Sequence, residues 1–165
     1  MEKFDVIDNF LPEKDWESLS NKIFSPEFPW HYGDFVNYDN SENYFQFEHL
    51  FFRNFKIFSE HYEQTVKLFT DRLPIRSISR MKANLLTRTS SSDFHGWHVD
   101  GDINDSDMIT GIYYINSTNG KTLFKNGKEI DCIANRLVVF PGNLIHSSTS
   151  CTDQKVRVVI NLNWF

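Results

Sequence analysis

Cysteine is nearly absent from this 165-residue chain: Cys132 and Cys151 are the only two. They form neither a Cys-x-x-Cys pair nor a Cys/His cluster, which excludes the common thiolate metal and dithiol redox motifs. A disulfide would need the fold to bring them together, and both read as core or surface thiols. Runs of Lys and Arg are missing too, and the net charge is -5. The clustered positive charge that drives tight nucleic-acid binding is therefore not there. No apolar stretch approaches the ~20 residues of a membrane span. The opening Met1-Glu2-Lys3-Phe4-Asp5 has no apolar signal core. The expectation is a cytoplasmic protein with no membrane or nucleic-acid partner. Internal repeats and low-complexity tracts are also lacking.

What the chain does have is phenylalanine, sixteen of them, enough for a thick aromatic core or an aromatic-lined cleft. The length fits one domain, residues 1–165, with a substantial core. Phe4 to Asp8 alternates as a strand would. Pro12 and Glu13 open a helix along which Trp16, Leu19 and Ile23 make an apolar stripe, stopped by Ser25-Pro26. Phe28 to Tyr44 reads as an irregular aromatic loop. Phe51, Phe55, Phe58, Tyr62, Val66 and Phe69 recur at intervals of three and four, which predicts a helix over 47–69 carrying His49 and His61 as structural or solvated side chains. Beyond Leu73-Pro74 the period changes to two. Strands are expected at 75–86, 108–116, 122–125, 128–130, 136–140, 144–148 and 155–164, with Asn126-Gly127 as a hairpin turn. Residues 1–74 then form mostly helical support and 75–165 a β core, an α+β fold with an antiparallel sandwich or barrel.

The stretch around which the chain is organised is Phe94-His95-Gly96-Trp97-His98-Val99-Asp100. Read as a short strand, it puts His98 and Asp100 on one face, because side chains two apart point the same way. A His-x-Asp triplet arises often by chance, so its weight depends on the residues further along the chain. His146, just past Pro141-Gly142-Asn143, is the candidate third ligand. Two imidazoles and one carboxylate on one face of an octahedron are typical of non-haem Fe(II) oxygenases and leave positions open. Arg157 lies eleven positions further on, in a strand whose neighbours Val156, Val158, Val159, Ile160 and Leu162 are apolar on both faces. An Arg in such a strand is buried and needs an anion. By alternation Trp97 falls in the core, and His95 is read as exposed. Thr87 to Asp93 and Gly101 to Asp107, rich in Ser and Asp, are candidate lids.

The ordered set His98-x-Asp100, Ile112-Tyr113-Tyr114-Ile115-Asn116, Asn119-Gly120-Lys121-Thr122, Phe140-Pro141-Gly142, His146 and Arg157 resembles the 2-oxoglutarate/Fe(II)-dependent dioxygenases, and within them the prolyl 4-hydroxylase-like branch. The resemblance covers residues 78–165 well and the N-terminal part loosely. It implies a double-stranded β-helix, or jelly-roll, core with N-terminal supporting helices. It further implies His98, Asp100 and His146 as iron ligands and Arg157 as the partner of the 5-carboxylate of 2-oxoglutarate. Tyr114 matches a tyrosine that supports the same carboxylate, Asn161 a polar strand position beside it, and Asn84 an asparagine used in the nucleic-acid alkylation-repair branch. The implied cofactors are Fe(II), the co-substrate 2-oxoglutarate and O2, with ascorbate as an accessory reductant. The implied activity is hydroxylation, with succinate and CO2 as co-products.

Three features depart from the branch, one of them a slightly long loop between His146 and Arg157. Leu85 or Leu86 stands where a tyrosine is common, and Asn119-Gly120 stands where Gly-Gly is usual. Co-substrate packing and substrate choice are what these affect, not the iron site. A prolyl or other side chain of a protein or peptide leads. A small molecule or modified nucleobase, or a non-catalytic jelly-roll that only binds a ligand, are the alternatives. A peptide would call for a groove lined by the aromatics of 28–44, and a base for a basic rim.

Overall fold

The computed structural model describes residues 4–36, 44–101 and 107–165. Two helices and eleven strands follow one another as β1 (Asp5–Ile7), α1 (Glu13–Ile23), β2 (His31–Gly33), β3 (Gln46–Arg53), β4 (Lys56–Ile57), α2 (Tyr62–Thr70), β5 (Ile78–Thr87), β6 (Ile109–Tyr114), β7 (Lys121–Phe124), β8 (Glu129–Asp131), β9 (Arg136–Pro141), β10 (His146–Ser148) and β11 (Val156–Trp164). The main sheet is antiparallel, in the order β1-β9-β6-β11-β5-β3-β2, with β4 paired to β3. A small sheet, β10-β7-β8, forms the second layer. This is the expected α+β arrangement, two facing sheets with helices on the outer side.

Period-two alternation divides the interior. On β5 and β11, Met81, Ala83, Val158, Ile160 and Leu162 point to the helices, where they meet Leu19, Ile23, Val66 and Phe69. A smaller cluster, Ile112, Tyr114, Phe124, Val138 and Phe140, fills one half of the space between the sheets. The other half is left to Arg80, Lys82, Asn84, Arg157 and Asn161, and there a cavity opens. Asn135, held at φ 61, ties the N-terminal segment to this frame. Its side chain accepts from the Leu11 N–H at 2.9 Å and the Tyr113 hydroxyl at 2.8 Å and donates to the Leu11 carbonyl at 2.8 Å.

The helix expected over 47–69 is not formed as such. Its first half is the β3–β4 hairpin, turned at Asn54 and Phe55 with φ 50 and 62. Such a two-residue turn matches the twist of paired strands and breaks any helix. Phe55, the supposed centre of an apolar face, sits at its tip 91% exposed. Only Tyr62–Thr70 is helical. His49 therefore belongs to a strand, buried between the Pro29 carbonyl and the Ser59 hydroxyl, each at 2.8 Å. Residues 37–43 of the aromatic loop and 102–106 of the second expected lid lie outside the described residues. The first expected lid is tied to Ser150, which accepts from the Asp93 N–H at 2.8 Å and from Thr89 Oγ1 at 2.6 Å. Cys132 and Cys151 are both buried and free. Among the described residues no helix is long and apolar enough to cross a membrane.

Candidate metal centre and its pocket

His98 and His146 are brought together by the backbone. Each donates its N–H to the other's carbonyl at 2.9 Å, an isolated antiparallel bridge that sets the two rings 4.4 Å apart, centroid to centroid. Asp100 follows two residues on, its N–H bonded to the Gly142 carbonyl at 3.2 Å. The segment is not the regular strand expected for 94–100, because Gly96 at φ 88 interrupts it and leaves only bridges at Phe94 and His98. That glycine also reverses two readings. His95 turns inward and is 2% exposed, with Nδ1 at 2.9 Å from the Ser148 hydroxyl and its ring against Tyr44. Trp97 turns outward, 38% exposed, edge-on to Phe94.

Potential ligand atoms of His98, Asp100 and His146 all lie within 4.8 Å of one another. His146 Nδ1 contacts the Leu144 carbonyl at 2.9 Å, so this nitrogen carries the proton. The lone pair is then on Nε2, which faces Asp100 Oδ2 at 3.9 Å. A metal-binding histidine is commonly fixed through its other nitrogen in this way. His98 is pushed down to about 4, first by burial and then by the nearby His146. Its ring is thus neutral near pH 7. Burial alone would raise the Asp100 pKa, but Arg80, His146, His98 and the Asn163 amide outweigh it and hold the carboxyl well below its usual range. Arg80 Nη2 donates to Asp100 Oδ1 at 2.9 Å and Asn163 Nδ2 to Oδ2 at 3.2 Å. Arg80 Nε in turn donates to Asn163 Oδ1 at 2.9 Å.

All three ligand candidates line a cavity of about 380 Å³ that Arg157, Asn84 and Asn161 also face. Arg157 is 2% exposed. Among the described residues no acid pairs with it. Its Nε has no partner, and its Nη2 makes one bond, to Thr122 Oγ1 at 3.3 Å. Thr122 accepts also from the Tyr114 hydroxyl at 2.7 Å, and the guanidinium lies 5.6 Å from the Tyr114 ring centroid. Tyr114 thus stands behind Thr122 rather than in the cavity wall. The amide oxygens of Asn84 and Asn161 are buried without partners. Two imidazoles and a carboxylate suit a divalent metal. A buried guanidinium lacking an acid suits a carboxylate.

Sequence reasoning missed Arg80, Asn163 and Thr122. The signal for Arg80 lies in β5, where Arg80, Lys82 and Asn84 alternate with Met81, Ala83 and Leu85. One polar face on a central strand, with Asn84 already singled out, points to a lined site.

No family model and no curated protein matches the sequence. Solved structures do match in fold. An oxidoreductase of the 2OG-Fe(II) oxygenase family from Burkholderia pseudomallei superposes with a TM-score of 0.71 at 8% identity, over 98% of this chain and 84% of that one. A Trichoplax adhaerens prolyl hydroxylase in complex with a hypoxia inducible factor oxygen degradation domain peptide fragment gives 0.70 at 16% identity, over 98% and 83%. The non-haem α-ketoglutarate-dependent epimerase SnoN from nogalamycin biosynthesis gives 0.67 at 8%, over 99% and 76%. The fold of this chain is that of the 2-oxoglutarate/Fe(II) oxygenases, prolyl hydroxylases among them.

Proposed function

We propose that this protein is an Fe(II)- and 2-oxoglutarate-dependent oxygenase that hydroxylates a prolyl or other amino-acid side chain. The observation that carries the reading is the shared cavity: three ligand atoms within 4.8 Å of one another and an acid-free, buried guanidinium line the same space. Either half alone has ordinary structural explanations. Together they match a metal and a dianion that bind as a unit.

His98, Asp100 and His146 would hold the iron. When bound, the iron supplies the oxidising chemistry, coupling conversion of 2-oxoglutarate and O2 to succinate and CO2 with oxygen insertion into a substrate C–H bond. The chain's own part is to bind and orient. The Leu144 carbonyl fixes the His146 tautomer, and Arg80 and Asn163 hold the Asp100 carboxylate. Arg157 would take the distal carboxylate of 2-oxoglutarate, with Thr122 hydrogen-bonded to its guanidinium and Tyr114 to Thr122 behind it. Asn84 and Asn161 complete the polar wall. The related folds include an enzyme seen with a peptide and one from small-molecule biosynthesis, so fold likeness leaves the carrier of the side chain open.

The test is anaerobic loading with Fe(II) and 2-oxoglutarate, followed by the metal-to-ligand charge-transfer absorption of the chelate. Wild type should develop the band, and Arg157→Ala should need far more co-substrate to do so. Absence of the band in wild type, or a band indifferent to Arg157, would defeat the assignment.

A further inference from the structure

Four polar side chains make one continuous patch on the cavity side of three adjacent strands. Glu48 comes from β3, Lys82 and Asn84 from β5, and Asn161 from β11, and all four line the cavity. The register sets Glu48 opposite Asn84 and Asn161 opposite Lys82. Across the diagonal, Lys82 Nζ lies 2.9 Å from Glu48 Oε2. The Asn84 and Asn161 oxygens are the two orphaned acceptors of the patch.

These oxygens need hydrogen-bond donors, since a buried acceptor without one loses its hydration for no return. Dianionic 2-oxoglutarate has only acceptor oxygens and cannot supply them. It can accept from the amide nitrogens while the oxygens await a different molecule. The Lys82–Glu48 pair narrows what that molecule is. A ligand of one charge would take one member and leave the other without its ion pair, at a cost that falls mainly on Lys82, 18% exposed against 38% for Glu48. A ligand bearing both charges a few ångströms apart exchanges pair for pair, its carboxylate meeting Lys82 and its ammonium meeting Glu48 and the two amide oxygens.

We propose that this patch grips the zwitterionic head of a free α-amino acid, which makes the substrate the amino acid itself rather than a residue within a peptide. A residue inside a peptide has neither the ammonium nor the carboxylate. The proposal rests on the oxygenase reading for the reaction, but not for the binding.

The experiment uses the full chain loaded with Mn(II) and 2-oxoglutarate, with loading verified by calorimetry. The twenty protein L-amino acids are titrated singly, and the tightest binder is compared with its Nα-acetyl and its carboxamide forms. At least one amino acid should bind with a dissociation constant below ~1 mM. Each blocked form should be weaker by about tenfold or more. Glu48→Gln should erase the penalty for acetylation and Lys82→Met the penalty for amidation. With loading normal, no binding by any amino acid, blocked forms that bind as well as free ones, or variants that leave both penalties in place would overturn the proposal alone. Failure of Mn(II) and 2-oxoglutarate to load would overturn the oxygenase reading. The same titrations on the unloaded chain would then decide the zwitterion site separately, by the same criteria.

Discussion

Arg80 grips Asp100: Nη2 donates to Oδ1 at 2.9 Å, and the carboxylate is almost wholly buried. One oxygen is thereby tied down and the other, Oδ2, faces His146. The guanidinium also cancels the carboxylate charge before any metal arrives. Arg80→Gln removes a cation from a buried anion and should lower the stability of the metal-free protein by about 2 kcal/mol. A divalent metal can replace the lost charge. The variant should therefore gain more in melting temperature from saturating Mn(II) than wild type does. Equal gains would mean that Arg80 does not set the charge of the site.

Arg157 has the opposite signature. It is buried with an unpaired Nε and a single 3.3 Å bond, so without ligand it is a cost to the fold. Replacing such a residue with an apolar one of similar length is often stabilising. Arg157→Met should raise the unfolding free energy of the ligand-free protein by about 1 kcal/mol while weakening 2-oxoglutarate by about 3 kcal/mol, a hundredfold or more. Denaturant titration and calorimetry on the same preparation would read both. A variant destabilised without ligand would show that Arg157 is a structural group.

Gly120, the glycine that Asn119-Gly120 shares with the usual Gly-Gly, packs directly against Arg157. A Cβ there would meet Arg157 Cδ at 2.8 Å and the Thr149 and Ser150 carbonyl oxygens at 3.1 Å. The backbone neighbours leave no room to retreat, so the arginine must yield. Gly120→Ala should cost about 1–3 kcal/mol of stability. It should also weaken 2-oxoglutarate, while Asn119→Gly, one position away on an exposed residue, should leave the affinity unaltered. An unchanged co-substrate affinity in Gly120→Ala would show that the Arg157 stem has slack.

Much of this was legible in the sequence, for a physical reason. Where strands are central and flat, period-two counting carries faithfully from residue to residue. It set Arg157 among apolar neighbours, whereas the alternation along β5 was not followed and Arg80 went unnoticed. Counting failed where the chain turns. Phe51, Phe55 and Phe58 have helical spacing, yet one fills the core and one tips a hairpin, since Asn54 and Phe55 adopt positive φ. Across Gly96, at φ 88, alternation inverts, which sent His95 inward and Trp97 outward against expectation. Burial depends on contacts far away in sequence, with Ser148 and Tyr44, that no local pattern encodes.

His95 carries a pH dependence that can be worked out in sign. Burial, and then the positive charge of Arg157, push its pKa down to about 4 from an ordinary 6.5. The fold therefore prefers the neutral ring. Above pH 6.5 neither folded nor unfolded chain binds the proton, and the stability is fully present. Between 6.5 and about 4 the unfolded chain takes up a proton that the folded chain refuses, so stability falls as pH falls, and it levels off below 4. The full loss from such a shift is on the order of 3 kcal/mol. His98 contributes in the same direction while metal is absent. Urea unfolding of the chelator-treated protein between pH 7 and pH 5 should give a steeper decline for wild type than for His95→Asn, which keeps a polar partner for Ser148 but cannot titrate. Parallel curves for the two proteins would mean that His95 is protonated in the fold as readily as in the open chain, and that its burial between Tyr44 and Ser148 does not persist in solution.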